Sequence, residues 1–405
     1  MKGIVKTIFS AAILLIGSNS FAQQYQYLNE LTNRQNKNIA EKTIAMAPTI
    51  DLSGDTLRQT VVARGTDSVY QGHPTTVLLP NGRSILAVWT YKHAGFCGPM
   101  NRSDDGGRTW GTLLDVPKSW TTVKNCPAIY SLPAPSGKQT LFVFAGAGKE
   151  LNEMHQSYST DLGQTWSPMK GNGLGPASMP FCTIIPVNNG KKLIAMNNIR
   201  RPGEKIEKKS CILVQSESYD GGFTWHPWRT VLDIPGLKVC EPQIIRSPSG
   251  KQLLCLIREN AKRTALYMTS DDEGATWSKP KPVPYGLSGD RHQAKYMANG
   301  QLVVVFRDTG KGSPTRNHFV AWVGRYSDII EEKKGEARFK LLHSFKGGDC
   351  GYAGLEVLPD QTLVATTYIK YREGTAQNSV VSVRFKLEDA KNIKYSILNT
   401  DSSRN

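Results

Sequence analysis

Apolar residues run along this chain in short pairs, each pair split by a tight polar turn, and six such pairs follow one another between residues 73 and 368. They are HPTTVLLPNGRSILAVW from His73, CPAIYSLPAPSGKQTLFVF from Cys126, MPFCTIIPVNNGKKLIAM from Met179, CEPQIIRSPSGKQLLCLIRE from Cys240, RHQAKYMANGQLVVVFRD from Arg291 and GYAGLEVLPDQTLVATTY from Gly351. The turns fall at Asn81-Gly82, Ser136-Gly137, Asn189-Gly190, Ser249-Gly250, Asn299-Gly300 and Pro359-Asp360. Strand-forming runs closed by such dipeptides predict β-hairpins.

A second repeat runs in step with the first. Ser-x-Asp-x-Gly-x-Thr-Trp occurs at Ser103–Trp110, Ser159–Trp166, Ser218–Trp225 and Ser270–Trp277, with the tryptophans 56, 59 and 52 residues apart. A period near 50 residues means that one supersecondary unit is reused. Asp and Gly suit a tight turn, and Thr-Trp then enters a strand. Each hairpin is followed by another strand pair, and in the first four units the box sits in that second pair. Six four-stranded units with almost no helical pattern predict an all-β, six-bladed β-propeller. A ring needs closure, and the strand-like Leu57–Arg64 could complete the last blade beside Ser379–Leu387.

The ends change the picture only at the margins. Lys2 and Lys6 precede the apolar run Ile8–Ile16, and Ser20-Phe21-Ala22 is a small-x-small cleavage site, so residues 1–22 read as a secretory signal peptide. Residues 23–56 read as a loose arm or one short helix, 57–390 as the propeller and 391–405 as a tail. The expectation is an exported protein, periplasmic or secreted, with no membrane anchor and monomeric. Net charge is +16, and removal of the leader takes two lysines and no acids, leaving +14. Such an excess favours anionic partners by long-range steering. Nucleic acid fits poorly, because there is no recognition motif and no dense Lys/Arg tract. The basic run Arg200–Lys209 reads as a solvated loop or a binding lip. The seven cysteines show no CxxC spacing and there is no EF-hand-like acidic run, so no metal or cofactor is expected. Most cysteines read as small buried hydrophobes with room for one bridge, and His155, His226, His318 and His343 as scattered surface or packing residues.

Propeller geometry locates a site. The first strand of each blade lines the channel and the second returns beside it, so the start of one and the end of the other open on the same face. Those positions supply His73, His93, Glu241, Arg258, Arg291, Gln293, Arg307 and Tyr352 to one funnel. Guanidinium forks suit a carboxylate or sulfate, and a tyrosine beside a glutamate could serve as a nucleophile. The boxes fall on the opposite rim.

The four boxes and the funnel set together resemble bacterial sialidases over about residues 57–390. The resemblance implies a six-bladed propeller acting on an acidic sugar with a Tyr nucleophile, one of the exceptions among glycosidases. Residue by residue, it places Glu241 as the base assisting Tyr352, Arg258 as the second carboxylate-binding arginine and, in Ser313-Pro314-Thr315-Arg316, Arg316 as the third. Two places depart from the family pattern. Gly72-His73-Pro74 stands where Arg-Ile-Pro would supply the first arginine, and Trp89–Gly95 has no carboxylate where an acid/base Asp would lie. The expectation is therefore an exo-glycosidase for a terminal acidic sugar, sialic acid or another anionic or uronate-linked sugar. His73 or His93 would be the acid, and Arg258, Arg316, Arg291, Gln293 and Arg307 would contact the substrate. Two alternatives stay open: a polysaccharide lyase working with Arg, His73 and Tyr352, and a propeller that binds an acidic oligosaccharide or polysaccharide without catalysis.

Overall fold

A computed structural model describes residues 26–31, 46–134, 137–146, 153–175, 177, 179–202, 211–261, 264–391 and 397–398. The leader, the C-terminal tail beyond 398 and most of the basic run Arg200–Lys209 lie outside the described residues.

Six sheets, antiparallel within each blade's four-strand meander, follow the six hairpins around a ring. The inner strands are Gln71–Leu78, Ala128–Pro133, Thr183–Val187, Val239–Arg246, Gly289–Tyr296 and Ala353–Val357. Blades two, three and four have four strands each, taken in chain order. In blade one three strands are regular, and the fourth position is held by backbone bonds from Gly111 to Arg102 and from Leu114 to Met100. Blade six is completed from the other end of the chain: Gln59–Ala63 pairs antiparallel with Ser379–Phe385, the closure the sequence suggests. Blade five carries two additional strands, Thr49–Asp51 parallel to Ala337–Leu342 and Ile397–Leu398 beyond it. Residues 26–31 form a helical turn whose Leu31 packs into the layer between blades three and four.

Because each sheet is covered on both faces by its neighbours, the central strands read as continuous apolar runs; Leu253–Ile257 is buried without interruption. The core is accordingly a set of layers between blades. Leu86, Val88, Ile129 and Val143 join blades one and two, and Val303, Val305, Leu355 and Leu363 join blades five and six. No disulfide joins the seven cysteines, six of which are buried, so the bridge the sequence allowed is not formed.

The boxes fasten one blade to the next. In the second box Ser159 donates to Asp161 Oδ1 (2.7 Å), Gly163 N–H donates to Ser159 Oγ (2.8 Å), and Thr165 donates to Asp161 through N–H (2.9 Å) and hydroxyl (2.5 Å). The same pattern recurs around Asp105, Asp220 and Asp272. Ser84, at the first hairpin turn, donates to Asp104 Oδ1 (2.5 Å), which puts boxes and hairpin turns on the same face, away from the funnel.

Candidate active site

Four of the six inner strands are entered through a residue with left-handed backbone: His73 (φ 53°), Cys126 (φ 48°), Glu241 (φ 52°) and Arg291 (φ 55°). In blades one, four and five the strand register slips there, between Gly72 and Thr75, Cys240 and Gln243, and Asp290 and Gln293. A bulge re-aims one side chain, and a non-glycine residue in this region costs about 1–3 kcal/mol. The same device in blades one, four and five brings His73, Glu241 and Arg291 around Tyr352. In blade six, Gly351 (φ 113°) takes the strained position and Tyr352 follows it.

The centre of that cluster is Glu241. It accepts the Tyr352 hydroxyl on Oε1 and the Arg258 guanidinium on both oxygens (2.9 and 3.0 Å). Burial would raise its pKa, but the charges of Arg258 and Arg291 and the bonds from Tyr352 and Arg258 outweigh this and lower it to about 2. Tyr352 moves the other way: burial and the Glu241 charge push its hydroxyl well above the usual range. At rest the proton therefore stays on Tyr352. Arg258 also pairs with Asp290 (3.0 Å), which in turn holds Arg307. Arg307 further donates to the Cys350 carbonyl (3.1 Å), which ties it to the strand that delivers Tyr352.

His73 is buried with its ring 4.5 Å from the rings of both Tyr352 and His93. Its Nδ1 accepts from Ala94 N–H (3.3 Å) and faces the Cys126 thiol (3.2 Å). The Ala94 donor on Nδ1 puts the ring proton on Nε2, which is buried and meets no hydrogen-bond partner among the described residues, while the Cys126 thiol donates to Asn125 Oδ1 (3.0 Å). Burial, then the neighbouring His93, lowers the His73 pKa to about 3. At neutral pH it is a neutral N–H donor, which removes the imidazolium expected of it as an acid. His93 is different. It is 64% exposed, and its Nδ1 faces Asp349 Oδ1 (3.7 Å) and the Tyr70 hydroxyl (3.4 Å).

Asp349, together with Tyr70 and Asp290, is what the sequence reading missed. Asp349 accepts from Tyr70 (2.8 Å) and pairs with Lys346 (3.0 Å), while Asn378 donates to its backbone carbonyl (2.7 Å). Burial opposes ionisation of this carboxyl, but bonds from His93, Lys346 and Tyr70 hold it well below the usual carboxylate range. The Trp89–Gly95 stretch of blade one has no carboxylate, and blade six brings one beside His93. Its place three residues before Tyr352 was the only hint available.

Glu241, Tyr352, Arg258, His73 and His93 thus come together. Arg291 joins them, its guanidinium 5.1 Å from the centre of the Tyr352 ring, and with Gln293 it lines the central channel. Arg316 is exposed beside Tyr285 on blade five, and among the described contacts none joins it to the cluster. Its segment is pinned by Thr315, which donates to Asp308 (2.6 Å), itself bonded to the buried Arg338 (2.7 Å). His318 and His343 are not scattered; their rings lie 4.1 Å apart.

The geometry can now be set against known proteins. The sequence profile of the BNR repeat-like domain matches residues 125–343, more than half of the chain, and the chain belongs to that family. No curated protein matches the sequence. Among solved structures it is similar to a protein of unknown function from Dyadobacter fermentans, at 14% identity and a TM-score of 0.63 over 81% of this chain and 97% of that one. It is also similar to the intramolecular trans-sialidase of Ruminococcus gnavus, at 15% identity and 0.53 over 82% and 97%. A third is the NanB sialidase of Streptococcus pneumoniae, at 13% identity and 0.53 over 82% and 71%. The shared feature is the six-bladed propeller of the sialidase fold.

Proposed function

We propose that this protein is an exported glycoside hydrolase that removes a terminal acidic sugar by way of a tyrosyl intermediate. The observation that carries the reading is the Tyr352 hydroxyl bonded to Glu241 while Arg258 grips the same carboxylate. A neutral phenol is the nucleophile suited to an anionic sugar, because a carboxylate would be repelled by the substrate's own charge. As positive charge grows at the anomeric carbon, Tyr352 Oη forms a bond there and passes its proton to Glu241. The bond to the leaving oxygen breaks, and that oxygen takes a proton from His93, oriented by Asp349 through Nδ1. Water then attacks, gives its proton to His93, and Tyr352 departs with the proton held by Glu241. Arg258, 19% exposed, is the guanidinium positioned for the sugar carboxylate, and Lys346 adds positive charge at the rim. His73 supplies a neutral N–H beside Tyr352.

Elimination is less well served. A lyase needs a free basic nitrogen, and the Nδ1 of His73 already takes the Ala94 N–H while its Nε2 carries the proton. The test is turnover of a panel of aryl α- and β-glycosides of sialic and uronic acids, with release of the aryl group as the readout. Wild type should cleave at least one member, and Tyr352→Phe, folded by circular dichroism, should lose at least about a thousandfold in kcat. Full turnover by Tyr352→Phe would refute the tyrosyl route, and a product absorbing as an unsaturated uronate would establish elimination.

A further inference from the structure

Three guanidiniums crowd the floor of the funnel against two carboxylates. Arg258 is bonded to Glu241 and Asp290, and Arg307 to Asp290. Arg291 is the third, and it has no carboxylate of its own. It is 2% exposed, and among the described residues none gives a hydrogen-bond partner to its buried Nε and Nη1. Its guanidinium lies 5.1 Å from the centre of the Tyr352 ring, on which it rests face-on to the π cloud. Cys182 lies against it, but burial pushes that thiol up, so it stays protonated and neutralises nothing. An unpaired buried charge is among the costliest things a fold can carry.

Arg291 is also the only residue named in the Glu241–Tyr352 cluster that lines the central channel, a cavity of about 480 Å³ between the inner strands. Thr75, Gln243 and Gln293 line the same cavity and offer further polar groups. Glu356, the one carboxylate among the lining residues, is already taken by Thr76 (2.8 Å) and Lys295 (3.8 Å).

We propose that the central channel holds a small monovalent anion of the halide type, bound by the guanidinium of Arg291 where that residue lines the channel. The charge count sets the valence: three cations and two anions leave one positive charge uncompensated. Burial sets the size, since only a small anion could reach a side chain that is 2% exposed. The site is separate from the sugar carboxylate's place beside Arg258, and it does not depend on the protein being a hydrolase.

The test reads stability and position, not activity. Thermal unfolding is followed while sodium chloride replaces sodium gluconate at constant ionic strength. Wild type should show a saturable rise of about 2 °C across the titration, and Arg291→Gln should show none. Because Arg291→Gln could fail to fold, crystals of the wild type soaked in bromide give an independent readout. The expected result is an anomalous peak within hydrogen-bond reach of Arg291 in the channel. A peak absent from Arg291, or found only beside Arg258 in the funnel, overturns the proposal whatever the titration does.

Discussion

His73 carries more of the site's chemistry by staying neutral than it could by ionising. Its folded pKa of about 3 stands against an ordinary value of 6.5, and that of Glu241, about 2, against 4.5. In both cases the unfolded chain binds protons that the folded chain refuses, so stability rises with pH across these windows and is lost as pH falls. The His73 contribution is complete above pH 6.5 and disappears toward pH 3; that of Glu241 is complete above 4.5 and disappears toward 2. Each group adds a slope of at most about 1.4 kcal/mol per pH unit. His318, lowered to about 4 by burial and by His343, contributes with the same sign, so the test must be a difference. Urea unfolding between pH 4 and 6 should show a shallower stability slope in His73→Gln than in wild type. Equal slopes would mean that His73 is not held neutral.

At the level of the element, the boxes act as fasteners, and their glycines make this quantitative. Gly163 has φ +86°, and a Cβ there would come within 2.6 Å of Leu86 in the preceding blade. Gly222 meets Leu132 and Gly274 meets Ile194 in the same way, each box seating on the blade before it. Leu86 is fully buried in the layer between blades one and two and has nowhere to retreat. Gly163→Ala therefore combines backbone strain with overpacking and should lower the unfolding free energy by about 1–3 kcal/mol. A change below about 0.5 kcal/mol in denaturant unfolding would show that the box does not clamp the interface. This fastening was legible in the sequence as a repeat, because a turn motif at fixed spacing needs no tertiary information. What it packs against was not, because Leu86 belongs to a different repeat.

Over the whole molecule, hairpin period and turn chemistry sufficed to give blade number, register and the closing strand Gln59–Ala63. Register then led to Glu241, Tyr352, Arg258, His73 and His93, since strand starts in a propeller must share a face. It could not tell which side of the floor a side chain takes, because the bulges at His73, Glu241 and Arg291 break the alternation that such an assignment relies on. Arg291 and Gln293 went to the channel for that reason. Asp349 was hidden because a loop of blade six meets His93 of blade one only when the ring is closed. The central claim is that Tyr352 forms a bond to the sugar. The most direct measurement is intact-protein and peptide mass spectrometry after incubation with fluorinated acidic glycosyl fluorides, which slow breakdown of a covalent intermediate. An adduct of one sugar on the peptide containing Tyr352, absent in Tyr352→Phe, is the predicted result. With a glycoside that the enzyme turns over, an adduct on another residue, or none at all, would contradict it.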